Sequence, residues 1–183
     1  MKNALHLIWI LLLFAACKSP EARRPISQKS GTRIDNSIVM NKKRIAIEEA
    51  DIQKIIARDT THVYAATEGG FWYTYEKRDT IATQTPLVGE LVSFNYNLST
   101  ITGNSILSTA AVGDQVYQID QSNQDLISGI REGLKLMKEG ETITVLLPSH
   151  KAYGYYGFED KIGSNVSIRS TITLNKIKTK TDD

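Results

Sequence analysis

At 183 residues the chain is long enough for one ordinary domain with additions, and its 41% hydrophobic and 23% charged residues are typical of a globular protein in water. The formal net charge is +2, with the positive residues scattered rather than striped, which argues against nucleic acid as a partner. A single cysteine excludes an internal disulfide and a cysteine zinc site.

The chain opens with Lys2 and runs apolar from Leu7 to Ala16: a basic end, an apolar stretch, then small residues, the layout of a secretory signal. That run falls short of the ~20 apolar residues a membrane-spanning helix takes. Ala15 and Ala16 stand directly before Cys17 and resemble a bacterial lipobox, with Phe14 in the place of its usual leucine. On that resemblance, residues 1–16 are a signal peptide and Cys17 is lipidated. The mature protein is then anchored to a membrane rather than threaded through it. Residues 17–42, mostly polar with Pro20 and Pro25 and no clear period, read as the lipidated cysteine and a flexible tether.

An N-terminal extension follows at 43–68. Within it, "RIAIEEADIQKIIARD" (44–59) sets Ile52, Ile55 and Ile56 at helical spacing, with acids early and Arg58 late, and predicts a short amphipathic helix. "GGFWYTYEKR" (69–78) is aromatic and β-prone, a strand. In 91–100, Val92, Phe94, Tyr96 and Leu98 alternate onto one side, a half-buried strand, and "TGNS" (102–105) turns the chain. A short strand is expected at 115–119. Over 124–141, Ile130, Leu134 and Met137 suit a short helix packed on a sheet, with Gly140 placed to end it in a left-handed cap. "TITVLLP" (142–148) is a strand closed by Pro148, and 167–177 alternates again. Between them, "HKAYGYYG" (150–157) puts three tyrosines and two glycines into a loop at the end of a strand.

The element order predicts an α+β fold: about five antiparallel strands with a helix on one face. There is no Walker loop, no Rossmann glycine set and no zinc-ligand spacing, so no cofactor or metal is expected. His62 and His150 read as surface histidines, and the pairs Glu48–Glu49 and Glu159–Asp160 as solvated faces. An enzyme made of these residues would be one that needs no acid, base or nucleophile.

Taken in order, "VSFNYNL" (92–98), "GNSILS" (103–108), "LISGIREGLKLMKEGE" (126–141), "LLPSHKAYGYYG" (146–157) and "STITLNKI" (170–177) resemble the successive blocks of the FKBP-type peptidyl-prolyl isomerases. The resemblance covers roughly residues 70–178. With the lipoprotein start and the "GGFWYTYEKRDT" entry strand, the chain looks most like the gliding-motility-associated FKBP lipoproteins of the Bacteroidetes. It implies an isomerase domain at 69–183, a five-stranded antiparallel sheet wrapped round a short helix, and an apolar pocket between them. In that frame the Tyr153 hydroxyl meets the substrate, the Ile127 backbone N–H donates to the substrate carbonyl, and Tyr96 is a second polar handle. Ile106, Tyr117, Leu126, Ile130, Phe158 and Ile162 line the pocket, and Tyr155 and Tyr156 lie in the loop overhanging it.

The resemblance further implies substrates that are proline-containing exported polypeptides, components of a gliding or secretion machine among them, and a lipid-anchored place in the cell envelope facing the periplasm. Three positions depart from the family. Ile130 stands where its floor tryptophan would be, Leu107 where an aspartate would be, and Ser170 where a late aromatic would be. These changes point to weak catalysis, and they keep open an alternative, a non-catalytic FKBP-fold binding or chaperone module of an envelope complex.

Overall fold

The structure, a computed structural model, describes residues 31–81, 84–121 and 126–178. The signal segment, Cys17 and residues 18–30 lie outside them. Contacts gather Ile38–Asp183 into one compact unit.

Helix α1 spans Gly31–Arg58 and so begins well ahead of Arg44, where the sequence places its start. The stretch 31–42, read as part of a tether, is helical. Its polar composition misleads because polarity does not break a helix, whereas glycine and proline do, and neither occurs between Thr32 and Arg58. The C-terminal half of α1 is seated by Ile52, which is wholly buried, with Ile55 and Ile56 half-buried beside it.

After α1 the chain turns about Asp59. Its Oδ1 accepts the N–H of Thr61 at 3.0 Å, the Thr61 hydroxyl at 2.6 Å and the His62 N–H at 3.2 Å, and its Oδ2 accepts the Tyr64 hydroxyl at 3.0 Å. The His62 ring is held between Asp59, 2.9 Å from Nδ1, and Glu76, 3.4 Å from Nε2. His62, expected at the surface, is partly exposed and paired with both carboxylates. The Thr61 donors hold the Asp59 carboxyl well below the usual carboxylate range, and the hydrogen bond to Asp59 holds the His62 imidazole above its ordinary value.

Eight strand segments form a single antiparallel sheet: β1 (Ala65–Ala66), β2 (Trp72–Lys77), β3 (Leu91–Tyr96), β4 (Leu98–Thr100), β5 (Ser105–Leu107), β6 (Gln115–Gln118), β7 (Thr142–Leu147) and β8 (Ile168–Lys178). The order is β1-β2-β7-β8-β3-β6. Strand β4 continues β3 along the same side of β8, and β5 pairs with β4. The two-residue β1 apart, the sheet is therefore the five-column sheet the sequence implies, with one column broken. The break is at Asn97. Its side-chain Oδ1 accepts the Thr171 N–H at 2.8 Å, and its carbonyl accepts the Ser170 hydroxyl at 2.6 Å. Alternation alone read 91–100 as one strand because Val92, Phe94 and Leu98 are indeed all buried on the core side.

Two short helices complete the unit, α2 (Thr109–Val112), capped by Ser108, and α3 (Ser128–Leu134). The sequence expects a short helix within 124–141 ended by Gly140; α3 is that helix, and it already stops at Leu134. Its end tightens, with Leu136 and Met137 donating to Gly133 and Leu134. The buried Glu141 carboxylate then captures the Lys138 N–H at 2.8 Å and the Asp79 N–H at 3.0 Å. Gly140 does adopt a left-handed backbone (φ +82°), but in the turn entering β7 and not as the cap of α3. Helix α3 lies against the sheet through Gly129 and Gly133. A Cβ at 129 would collide with the Leu147 side chain, and one at 133 would press on Ile172 Cδ1 at 3.2 Å. Ile130, Leu134, Ile143, Val145, Leu147, Ile168 and Ile172 close the core beneath it without measurable exposure.

Candidate active site

One edge of this core stays partly open. Buried Phe94, Tyr117, Ile130 and Ile162 form its inner layer. Tyr96, Ile106, Leu107, Leu126, Ile127, Tyr153 and Phe158 pack against that layer and remain half-exposed. The residues come from five separate stretches, which the fold brings together: β3, the β4–β5 hairpin, β6, the start of α3, and the loop between β7 and β8.

Local chemistry explains each placement. Tyr96 ends β3 just before the Asn97 break and stacks on Phe94, with ring centroids 6.0 Å apart and planes inclined by 17°. Ile127 precedes α3 with an extended backbone (ψ 143°), and its carbonyl accepts from Ile130 and Arg131. No acceptor among the described residues meets its own N–H, as a donor kept for a ligand requires. The loop leaves β7 at Pro148 and makes a 3₁₀ turn over Ser149–Lys151 that delivers Tyr153. The Tyr153 ring packs on Phe158 at 4.8 Å between centroids. Phe158 is pinned by a two-way backbone bridge with Ile162. Gly157 makes that bridge possible: its φ is +69°, and a Cβ there would run into the Ile162 carbonyl.

The electrostatics are those of hydroxyls set in apolar surroundings. Burial raises the Tyr153 hydroxyl far above its ordinary value of 10, with smaller upward pushes from Tyr96 and Glu159. Burial raises Tyr96 as well. Both groups therefore stay neutral donors across any physiological pH. Tyr117 is 5% exposed, and its hydroxyl has no hydrogen-bond partner among the described residues. Among the described residues there is no cluster of metal-ligating side chains, and no helix is long and apolar enough to cross a membrane. The arrangement suits a small apolar group flanked by an amide.

The family model for FKBP-type peptidyl-prolyl cis-trans isomerases matches residues 82–175, just over half of the chain. The chain belongs to this family. It is 34% identical over 93 residues to a probable FKBP-type isomerase, FkpA, of Neisseria meningitidis serogroup B, covering 50% of this chain and 33% of that protein. It is 32% identical over 81 residues to human FKBP9, covering 44% of this chain and 14% of that one. The chain thus spans a third or less of these relatives. Among solved structures, an isomerase from Pseudomonas syringae superposes with a TM-score of 0.59 at 21% identity, over 75% of this chain and 96% of the other. FkpA from Escherichia coli superposes with a TM-score of 0.57 at 22% identity, over 97% and 82%. At those identities the two likenesses show the FKBP fold.

Within the FKBP frame, the nine residues expected at the pocket all lie in or against the one apolar cluster. The two overhanging tyrosines separate from them. Tyr155 and Tyr156 are 72% and 94% exposed and touch chiefly each other, edge to face. At the position of the absent aromatic, Ser170 is fully buried and spends its hydroxyl on the Asn97 carbonyl, so it braces the broken strand instead of lining the cup. Leu107 pairs with Leu98 across the hairpin and makes the wall apolar where the family has an acid. Sequence reading missed Phe94 as the backing of Tyr96, although its alternation with Val92 and Leu98 carried the signal. It also missed Glu48, and no local signal could have found it.

Proposed function

We propose that this chain is a prolyl isomerase for exported polypeptides, held by lipid at Cys17 in the cell envelope and facing the periplasm, with components of a gliding or secretion machine among its clients. What supports the catalytic part is the half-exposed apolar cluster that brings Tyr153, with its neutral hydroxyl, together with Ile127. The bond before a proline resists rotation because twisting it breaks amide resonance. The twisted amide is less polar than the planar one. An apolar cup therefore penalises the planar form more and lowers the barrier, while the two donors fix the flanking carbonyls. Uncatalysed exchange takes ~10–100 s, so even a modest acceleration matters to a folding chain. The envelope location is supported by the signal-like first 16 residues and the Ala15-Ala16-Cys17 junction.

The test is a proline-limited refolding reaction with the purified full chain in mild detergent. Acceleration is expected, and it should vanish in a folded Ile127→Asp variant, which puts a charge into the cup. Full activity in that variant would remove the cup from the mechanism. Cys17→Ser should move the protein from the membrane to the soluble fraction. A second reading, a binding module that holds clients without turning them over, is favoured by Leu107 and Ile130, which leave the cup with fewer polar and aromatic contacts. No acceleration by a folded chain that still retains proline-containing peptides would establish it.

A further inference from the structure

The Glu48 carboxylate belongs to α1, outside the pocket, and the sequence reads it as part of a solvated face. Its Oε2 accepts the Ser149 N–H at 2.7 Å and the Ser167 hydroxyl at 3.3 Å, and its Oε1 accepts the Ser149 hydroxyl at 2.8 Å. Ser149 and Ser167 are the two feet of the loop that carries Tyr153, Phe158 and Ile162: one follows Pro148 at the end of β7, the other precedes β8. One turn earlier on α1, Arg44 donates from Nη1 to Asn165 Oδ1 at 2.8 Å. Asn165 in turn donates its N–H to the Gly154 carbonyl at 2.7 Å, one residue from Tyr153. One turn later, Ile52 is wholly buried. The three consecutive turns of α1 at 44, 48 and 52 are thus fastened to the body, and two of them are fastened to this loop.

Ser149 is the pivot of the arrangement. It is 4% exposed, and its carbonyl accepts the N–H groups of Ala152 at 3.0 Å and Gly154 at 2.8 Å. The 3₁₀ turn Ser149–Lys151 that leads to Tyr153 is therefore built on a residue whose own N–H and hydroxyl are both satisfied by Glu48. Hydrogen bonds to a carboxylate are shorter and stronger than neutral ones, and buried donors that lose their acceptor have no water to replace it. We propose that Glu48 is a positioning residue for the pocket. Through Ser149 and Ser167, supported by Arg44 through Asn165, α1 sets where the loop holds the Tyr153 hydroxyl, and a displacement of α1 reaches the pocket by this route. Its consequence for turnover rests on the isomerase reading above; the positioning itself does not.

The experiment uses the full chain in detergent with ¹³C-labelled tyrosine, the Tyr153 ring signal being assigned with Tyr153→Phe. Glu48→Ala should move that signal and lower kcat/KM for proline isomerisation about threefold, no more than removal of the Tyr153 hydroxyl itself costs. Glu48→Gln should restore most of both, since its amide oxygen can still accept the Ser149 N–H. Lys54→Ala, an exposed change on the same helix, should alter neither. In a Tyr153→Phe background, Glu48→Ala should cost much less than it does alone, because both changes act on one hydroxyl. An unmoved Tyr153 signal in a folded Glu48→Ala protein overturns the proposal. Should that variant fail to fold, Ser149→Ala and Ser167→Ala, which remove the two hydroxyl contacts to Glu48, are read on the same signal, and no shift in either overturns it. A wild-type chain without isomerase activity would sink the isomerase reading, and the ring signal alone would then decide the positioning.

Discussion

Helix α3 and the loop from Ser149 to Ser167 both contribute side chains to the apolar cluster around Tyr153 and are held by opposite means. The helix is held by apolar packing: Ile130 and Leu134 are wholly buried, and Gly129 and Gly133 let its backbone press onto Leu147 and Ile172. The loop is held by polar bonds at its feet and middle: Glu48 to Ser149 and Ser167, Arg44 to Asn165, Asn165 to Gly154. Packing of the first kind is shared with the whole core, so disturbing it costs stability. Anchoring of the second kind is local, so disturbing it costs position first. The candidate site thus draws on one element that the fold cannot do without and on a second whose geometry is adjustable.

That contrast predicts a graded series. The largest effect belongs to Gly129→Val, which drives a branched side chain into Leu147 and should destabilise the protein by about 3 kcal/mol, read from chemical denaturation. An equally stable variant would mean that α3 can lift from the sheet. Next comes Gly157→Ala. It combines a left-handed φ with a collision at the Ile162 carbonyl and should cost about 2 kcal/mol, felt most in the exchange of amides around Phe158. A smaller effect on stability and a clear one on function are expected from Tyr153→Phe, whose isomerase activity should fall a few-fold with the fold intact.

Tyr153 also gives a pH test. Its folded-state value is raised, so its stabilising contribution is complete below the ordinary tyrosine value of 10 and is lost as pH rises beyond it, where the unfolded chain ionises first. Stability of the native protein should drop above pH 10, and less steeply in Tyr153→Phe. Last, Tyr156→Ala, at a ring 94% exposed, should change stability by no more than ~0.5 kcal/mol and leave refolding catalysis as it was. A loss of activity there would extend the pocket out to the loop tip.

How far these elements were legible from the sequence follows the same division. Strands β7 and β8 announce themselves by composition and alternation, and Ile130, Leu134 and Met137 mark the buried side of α3 whatever its exact length. The pocket residues were reachable because they travel in short blocks, such as "AYGYYG" and "LISGI", whose order resembles a known family. Boundaries were less legible. Helix α3 ends early because Glu141 captures the Lys138 N–H, and α1 starts early because nothing in 32–43 breaks a helix. The pairing of His62 was not legible because one partner, Glu76, lies on β2, fourteen residues away.

By itself, then, the sequence determined the kind of fold, the buried faces and the set of apolar residues from which a pocket is made. Each of these depends on repeats of two to four residues or on contiguous motifs. Only the tertiary structure decided which polar groups hold that pocket in shape. Glu48 and Ser149 stand 101 residues apart, and Asn97 and Ser170 stand 73 apart. A carboxylate on an amphipathic helix has the same local pattern whether it faces water or a buried serine. Which of the two it meets is settled when the chain closes and a buried N–H must find an acceptor.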